Sequence, residues 1–191
     1  DASTLAATHN DGETVNVWPD SSPNGYDTDN KRGNPSFVLN ATHGQPAVNF
    51  DGDDGLWIDS KRFDGDTLRY TIFSVPRYTD DTNQERVISG YGRNWLFGFH
   101  GGSIQSFHSD GWLINKPGAD KEWHVHTGLV KDGPIGSMWM DGVPVVIDGP
   151  GLHPTNYRPV NIQLGGYNRG QEMSKAEVSE LLLFGRNLSE A

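Results

Sequence analysis

Aromatic and polar side chains that could bind a sugar recur in glycine-rich segments of this chain. Sugar binding needs an aromatic plate for the apolar face of the ring, and amide, guanidinium or imidazole groups for the hydroxyls. Five residues supply these types, and we expect them to form a ligand site if their loops converge. The alternative is that the Trp and the Tyr cap the core. The five residues are His100, Trp112, Tyr167, Asn168 and Arg169.

The segment that ends at His100 alternates in the way expected of a half-buried strand. One face carries Trp95, Phe97 and Phe99, which we expect in the core because three such rings bury a large apolar area. Gly98 and His100 would then point outward, and the glycine would let a ligand approach the backbone closely.

Two acidic segments on tight glycine turns could bind a metal ion. Asp51, Asp53 and Asp54 form one, and Asp64-Gly-Asp66 forms the other, while Asp20 and Asn24 bracket a further loop. Short carboxylates in loops are the usual side-chain ligands of Ca²⁺, so we expect Asp51, Asp53 and Asp54 to bind this ion. The alternative is that these residues only cap neighbouring amides in turns.

The histidines concentrate between positions 100 and 126. His124 and His126 alternate, so both would face one side of one strand. Two such imidazoles could begin a transition-metal site or form a polar stripe on an outer face. The sequence assigns no third ligand.

No pattern of catalytic residues is present. Glycoside hydrolysis needs a pair of carboxylates, and the strand-borne Glu-x-Asp-x-x-Glu of sandwich glucanases is missing. Glu172, Glu177 and Glu180 are close in sequence but fit a solvated turn and strand edge. His-Glu-x-x-His and Gly-x-Ser-x-Gly are also missing, so we expect no catalysis.

Many short strands must position these residues, because 24 Gly and 11 Pro are spread along the whole chain. Asp141-Gly142, between two apolar runs, predicts a two-residue hairpin turn. Only Ser174–Ser179 has helix character. The predicted strands are Val15–Trp18, Ser36–Leu39, Ala47–Phe50, Leu56–Ile58, Tyr70–Val75, Arg86–Ser89, Trp95–Phe99, Ile104–Phe107, Trp123–Val130, Ile135–Met140, Val143–Ile147, Val160–Leu164 and Val178–Phe184.

Composition excludes several classes of partner. The 191 residues, 34% hydrophobic and 10% aromatic, suit one domain with a real core. The net charge of -10 and the lack of any long basic run argue against nucleic acid. No apolar run is long enough for membrane insertion. The chain has no cysteine, which removes disulfides and Cys-type zinc sites.

Seven segments, in this order, resemble the concanavalin A-like (laminin-G-like) jelly-roll domains of large extracellular bacterial proteins. Together they span nearly the whole chain. They are Asp1-Ala-Ser3, Trp18-Pro-Asp-Ser-Ser-Pro-Asn-Gly25, Gln45-Pro-Ala-Val-Asn-Phe-Asp-Gly52, Thr71-Ile-Phe-Ser-Val75, Arg86-Val-Ile-Ser-Gly90, Trp139-Met-Asp-Gly142 and Glu177–Leu188.

The resemblance implies an all-β fold, a two-sheet antiparallel β-sandwich, in a secreted or cell-surface protein, with Ca²⁺ often held at the rim. Residues 1–191 would form a single domain of a longer chain, with that chain's other domains among its partners. The family usually has an apolar strand before Asp1-Ala-Ser3, beside the last strand, so one sheet edge is expected to lack a partner. Fold does not fix function. We favour a carbohydrate-binding, lectin-like module over a protein-interaction, adhesion or spacer domain, and either of these over an enzyme.

Overall fold

The computed structural model describes residues 1–61, 63, 69–131, 133–155 and 158–188. Its described part has one 3₁₀ helix, Ala2–Leu5, and no helix of a length and apolarity that could cross a membrane. The strands are β1 (Asn30–Arg32), β2 (Ser36–Thr42), β3 (Gln45–Asp51), β4 (Gly55–Trp57), β5 (Tyr70–Tyr78), β6 (Ile88–Gly90), β7 (Trp95–His100), β8 (Ser103–Ser109), β9 (Trp112–Pro117), β10 (His126–Val130), β11 (Ile135–Met140), β12 (Val143–Pro150), β13 (Ile162–Leu164) and β14 (Lys175–Phe184).

These strands form two seven-stranded sheets that enclose the core. The first sheet has the order β12-β11-β10-β5-β14-β3-β2, and the second has the order β1-β4-β13-β6-β7-β8-β9. Neighbouring strands are antiparallel in both sheets. This confirms the predicted all-β class and the two-sheet antiparallel β-sandwich.

The aromatic face of β7 forms the centre of the core, as its alternation predicts. Trp95, Phe97 and Phe99 are fully buried. The indole N–H of Trp95 donates to the Tyr70 hydroxyl at 3.0 Å, and Phe99 meets Tyr78 edge-to-face at a centroid distance of 4.6 Å. Because both tyrosines belong to β5, these contacts join the second sheet to the first.

The hairpin predicted at Asp141-Gly142 is present between β11 and β12. Asp141 has φ +53° and Gly142 has φ +76°, which is the pair of positive values that this two-residue turn requires. Met140 and Val143 face each other across the turn.

Two predictions of local structure are wrong. Ser174–Ser179 is not helical, because Lys175–Phe184 forms a strand in the interior of the first sheet, paired with β5 on one side and β3 on the other. Hydrogen bonds to two neighbours outweigh a weak local helix propensity. Val15–Trp18 is not a strand either, since the only bridge there joins Thr14 to Ser36 within the described residues.

The far half of β14 has one open edge. β3 pairs with β14 as far as Val178, and a bulge follows between Val178 and Glu180. Beyond Ala47 on β3, Pro46 has no N–H to donate. Within the described part of the chain, no strand pairs with Glu180–Phe184 on this side.

Candidate functional site

Three rings stand together on the outer side of the second sheet, and we call His100, His108 and Trp112 the ring cluster. The centroid of Trp112 lies 4.6 Å from that of His108 and 5.4 Å from that of His100. Neighbouring strand ends place them there, since His100 ends β7 and His108 pairs with Trp112 across β8 and β9. Trp112 is 42% exposed, which favours the ligand plate over the alternative that it caps the core.

Both histidines of the ring cluster are neutral at pH 7. Burial lowers the pKa of His100, and the charge of Arg86 lowers it further. Burial also lowers the pKa of His108, whose Nδ1 lies 2.9 Å from the carbonyl oxygen of Asn94 and donates to it. Neutral imidazoles beside an exposed indole offer flat surfaces with polar edges, which is what a sugar ring needs.

A buried arginine connects this cluster to Tyr167. The Nε–H of Arg86 donates to Glu172, and the Arg86 guanidinium lies 4.0 Å from the centroid of the Tyr167 ring. Glu172 Oε2 is in turn 3.6 Å from His100 Nε2. The sequence did not reveal Arg86 as part of a site. The solvated interpretation of the three glutamates is wrong for Glu177, which is buried, whereas Glu172 is partly exposed and paired with Arg86.

The two residues that follow Tyr167 in its loop have other contacts. Asn168 and Arg169 are exposed with φ values of +46° and +66°. Arg169 Nη2 lies 2.8 Å from Asp59 Oδ2, and its guanidinium covers the Tyr91 ring at 4.4 Å. The structure therefore brings His100 and Trp112 together, connects Tyr167 to them through Arg86, and gives Arg169 separate partners.

Gly98 does not face outward, so the prediction that a ligand approaches the sheet there is wrong. A bulge between Gly98 and His100 interrupts the alternation of β7. Gly98 has φ +91°, and a Cβ at this position would lie 3.2 Å from His126 Nδ1. The space at Gly98 is thus filled by a core side chain.

His124 and His126 share one side, as predicted, but they point inward and form no outer stripe. Their ring centroids are 6.1 Å apart. His126 is fully buried, donates from Nε2 to the Ile104 carbonyl at 2.7 Å, and has a pKa lowered by burial to about 4. His124 donates to Asp141 at 2.7 Å and to Asp120 at 3.0 Å. These two bonds raise its pKa against the effect of burial.

The carboxylates of Asp51, Asp53 and Asp54 converge, with one oxygen of each within 4.8 Å of the others. We call these three residues the acidic loop. Asp54 is only 2% exposed and accepts the amide of Asn34 at 2.5 Å and that of Asp51 at 3.3 Å. Burial raises the pKa of Asp54, and the charge of Asp51 adds to the rise. Convergence suits the predicted Ca²⁺ ligands, whereas the amide bonds suit the turn-capping alternative.

The second predicted acidic segment, Asp64-Gly-Asp66, lies outside the described residues. The Asp20 loop is described, and hydrogen bonds within the loop hold it together. Asp20 accepts the amides of Ser22 and Tyr26, each at 2.9 Å.

An apolar cleft of about 640 Å³, which the sequence did not predict, lies at one end of the sandwich. Five consecutive residues, Leu181–Gly185, line it. Because successive side chains of a strand point to opposite faces, such a run shows that the cleft follows the open edge of β14. Trp18, Tyr70 and Ile162 form part of its wall and are themselves buried. The buried rings of Trp18 and Tyr70 therefore offer no open plate for a sugar.

No protein-family model matches this chain, and no curated protein matches it. Solved structures do. Domain 4 of AbnA, a GH43 extracellular arabinanase from Geobacillus stearothermophilus, in complex with arabinotriose, is 13% identical with a TM-score of 0.59, and the match covers 91% of this chain and 93% of that one.

Two other matches are larger proteins. Botulinum neurotoxin type C, in a structure titled for its interaction with two ganglioside molecules, is 11% identical with a TM-score of 0.57, over 93% of this chain and 49% of that one. A mutant of Trypanosoma rangeli sialidase is 15% identical with a TM-score of 0.56, over 94% of this chain and 30% of that one. At these identities the likeness shows a shared β-sandwich fold.

Proposed function

We propose that this domain is a non-catalytic carbohydrate-binding module of a secreted or cell-surface protein. The observation that carries the proposal is the exposed Trp112 packed against His100 and His108. A partly exposed indole, held by two neutral imidazoles and close to the carboxylate of Glu172, combines a plate for a sugar ring with acceptors for its hydroxyls.

The matched structures support the proposal at the level of fold. The arabinanase domain was solved with arabinotriose, and the neurotoxin structure is titled for its interaction with gangliosides. The same type of sandwich therefore binds sugars in at least one other protein.

The proposal of a non-catalytic module rests on the surroundings of the nearest carboxylates. Oxygens of Glu85 and Glu172 lie within 4.8 Å of each other, which is close to the spacing of a retaining glycosidase. A general acid, however, needs a desolvated carboxyl group. The Glu172 side chain is 37% exposed and is paired with Arg86. Release of reducing sugar from any bound glycan would overturn this part of the proposal.

A glycan array, followed by calorimetric titration of the strongest sugar, tests the proposal. Stacking on Trp112 should contribute on the order of 1 to 1.5 kcal/mol, so Trp112→Ala should weaken binding by about tenfold. Val143→Ala, which trims an exposed apolar side chain on the first sheet, is the matched control and should leave binding unchanged. The absence of any bound glycan, or equal binding by Trp112→Ala, would contradict the proposal.

A second candidate, a protein-interaction or adhesion domain, is favoured by the edge of the first sheet. The edge strand β12 exposes Val143 and Ile147, at 65% and 53%. Exposed apolar side chains on an edge strand are typical of surfaces that pair with another chain. A domain that binds no glycan but loses its protein partner on Val143→Lys would support this candidate.

A further inference from the structure

We propose that Glu85, His100 and Glu172 bind one divalent transition-metal ion of the Zn²⁺ type. Each residue offers one ligand atom, and the three atoms lie within 4.8 Å of one another. Around a tetrahedral Zn²⁺ with bonds of about 2.0 to 2.1 Å, ligand atoms are about 3.4 Å apart. Small side-chain rotations are therefore enough to close the site. This inference does not depend on the proposed function.

The three ligands come from segments that are held in place without a metal. The buried Tyr78 hydroxyl donates to the carbonyl oxygens of Gln84 and Glu85, at 3.0 and 2.7 Å. The amide of Arg86 donates to the carbonyl oxygen of Glu172 at 3.2 Å. The Glu85 segment is thus attached to β5 and to the loop of Glu172, and His100 is the last residue of β7.

The imidazole of His100 has few polar partners of its own. His100 Nδ1 is buried and has no hydrogen-bond partner among the described residues. His100 Nε2 lies 3.6 Å from Glu172 Oε2, longer than a hydrogen bond. Coordination of a metal through Nε2 would replace this long contact with a bond, while Nδ1 would still have no partner among the described residues.

Arg86 fits the role of an outer partner that orients a ligand. Its Nε–H donates to Glu172 Oε2 and fixes the direction of that carboxylate, as residues behind metal ligands commonly do. Two carboxylates and one guanidinium leave one negative charge, which a divalent ion outweighs. The Arg86 charge therefore reduces the attraction for a cation without reversing it.

The ligand types select the class of metal. An imidazole nitrogen with two carboxylates suits Zn²⁺, whereas Ca²⁺ takes oxygen ligands only. Three protein ligands also leave a position open for water or for a hydroxyl group.

Calorimetric titration of Zn²⁺ into the EDTA-treated and desalted chain tests the proposal. We expect one site per chain, with the dissociation constant raised at least tenfold by His100→Gln and by Glu85→Gln. His43→Asn is the matched control, because His43 is exposed in the turn between β2 and β3 and has a positive φ that Asn tolerates. It should change the constant less than twofold.

Melting curves in EDTA show whether each variant folds. If His100→Gln does not fold, Glu85→Gln alone tests the site. Co²⁺ gives a second measurement, since a site with these ligands should show visible absorption bands that Zn²⁺ abolishes. Unchanged Zn²⁺ affinity in a folded His100→Gln or Glu85→Gln variant would overturn the site. Displacement of Zn²⁺ by millimolar Ca²⁺ would overturn the assigned class of metal.

Discussion

The acidic loop and the group of Glu85, His100 and Glu172 both gather possible metal ligands, but they differ in what already surrounds them. The buried carboxylate of Asp54 accepts two backbone amides from its own neighbourhood. By contrast, His100 keeps a buried nitrogen without a hydrogen-bond partner among the described residues. Closeness of ligand atoms is the same in the two groups, so the hydrogen bonds around them and the types of ligand are what separate them.

The comparison teaches that acidic residues close in sequence are weak evidence of a metal site. Asp51, Asp53 and Asp54 lie on one tight turn, where a short carboxylate has nearby amides to accept. Glu85, His100 and Glu172 come from three distant segments, and a turn's own amides do not account for their meeting. The predictions below test this difference, beginning with the largest effect.

Removing the Asp54 carboxylate should destabilise the fold more than any other change in these two groups. Asp54→Ala leaves the amides of Asn34 and Asp51 without their acceptor, and a buried unsatisfied donor costs about 1 to 3 kcal/mol. We expect the free energy of unfolding in urea to fall by about 3 to 4 kcal/mol. Asp53→Ala, at an exposed neighbour, should change it by less than about 0.5 kcal/mol. Equal effects would mean that Asp54 has no special capping role.

Acid should destabilise the domain through buried His126, whose Nε2 donates to the Ile104 carbonyl and whose Nδ1 has no partner among the described residues. Its pKa is about 4 in the folded chain, against 6.5 for an unperturbed histidine, the value expected after unfolding. As the pH falls from 6.5 to 4, the unfolded chain binds a proton that the folded chain does not, so the free energy of unfolding falls by about 3 kcal/mol.

The contribution of His124 to stability should depend on pH in the opposite direction, since the pKa of His124 is raised. Its contribution to stability is present below pH 6.5 and is lost as the pH rises through its folded pKa. Urea denaturation at several pH values measures both effects. His126→Gln should reduce the fall in unfolding free energy between pH 6.5 and 4, while His43→Asn should leave that fall unchanged. If the fall persists in His126→Gln, other groups cause it.

Calcium separates the two explanations of the acidic loop. We propose that Ca²⁺ binds Asp51, Asp53 and Asp54 in the folded state, which at about 100 times its dissociation constant adds about 2.7 kcal/mol to stability. The melting temperature should then rise by several degrees between EDTA and millimolar Ca²⁺. Asp53→Asn should reduce the rise, and Asp110→Asn, at an exposed turn elsewhere, should not. No rise in the parent chain would leave the loop with turn-forming carboxylates only.

The sequence predicted most strands because apolar alternation and turn residues act locally. Trp95–Phe99 and the Asp141-Gly142 hairpin are examples, since a side chain's face and a positive φ depend on nearby residues alone. Ser174–Ser179 failed because its state depends on β3 and β5, which are distant in the chain. The bulge that turns Gly98 toward His126 could not be predicted for the same reason, because it depends on pairing with another strand.

The candidate site was predictable only in part. His100 and Trp112 were chosen for their residue types, and the pairing of β7, β8 and β9 brings them together. Arg86 and Glu172 could not be found in this way, because a long chain segment separates them and only the folding of two loops joins them. A buried Arg beside a Glu gives no periodic signal.

Trp112→Ala should have a small effect on stability, although it has a large expected effect on sugar binding. Because 42% of Trp112 is exposed and its neighbours are two histidine rings on the sheet surface, truncation should cost less than about 1 kcal/mol of unfolding free energy. Trp95→Ala is the contrasting control, since a fully buried Trp costs about 3 to 5 kcal/mol to truncate. Urea denaturation measures both variants. A loss with Trp112→Ala as large as that with Trp95→Ala would make Trp112 a structural residue and remove the plate on which the proposed sugar site depends.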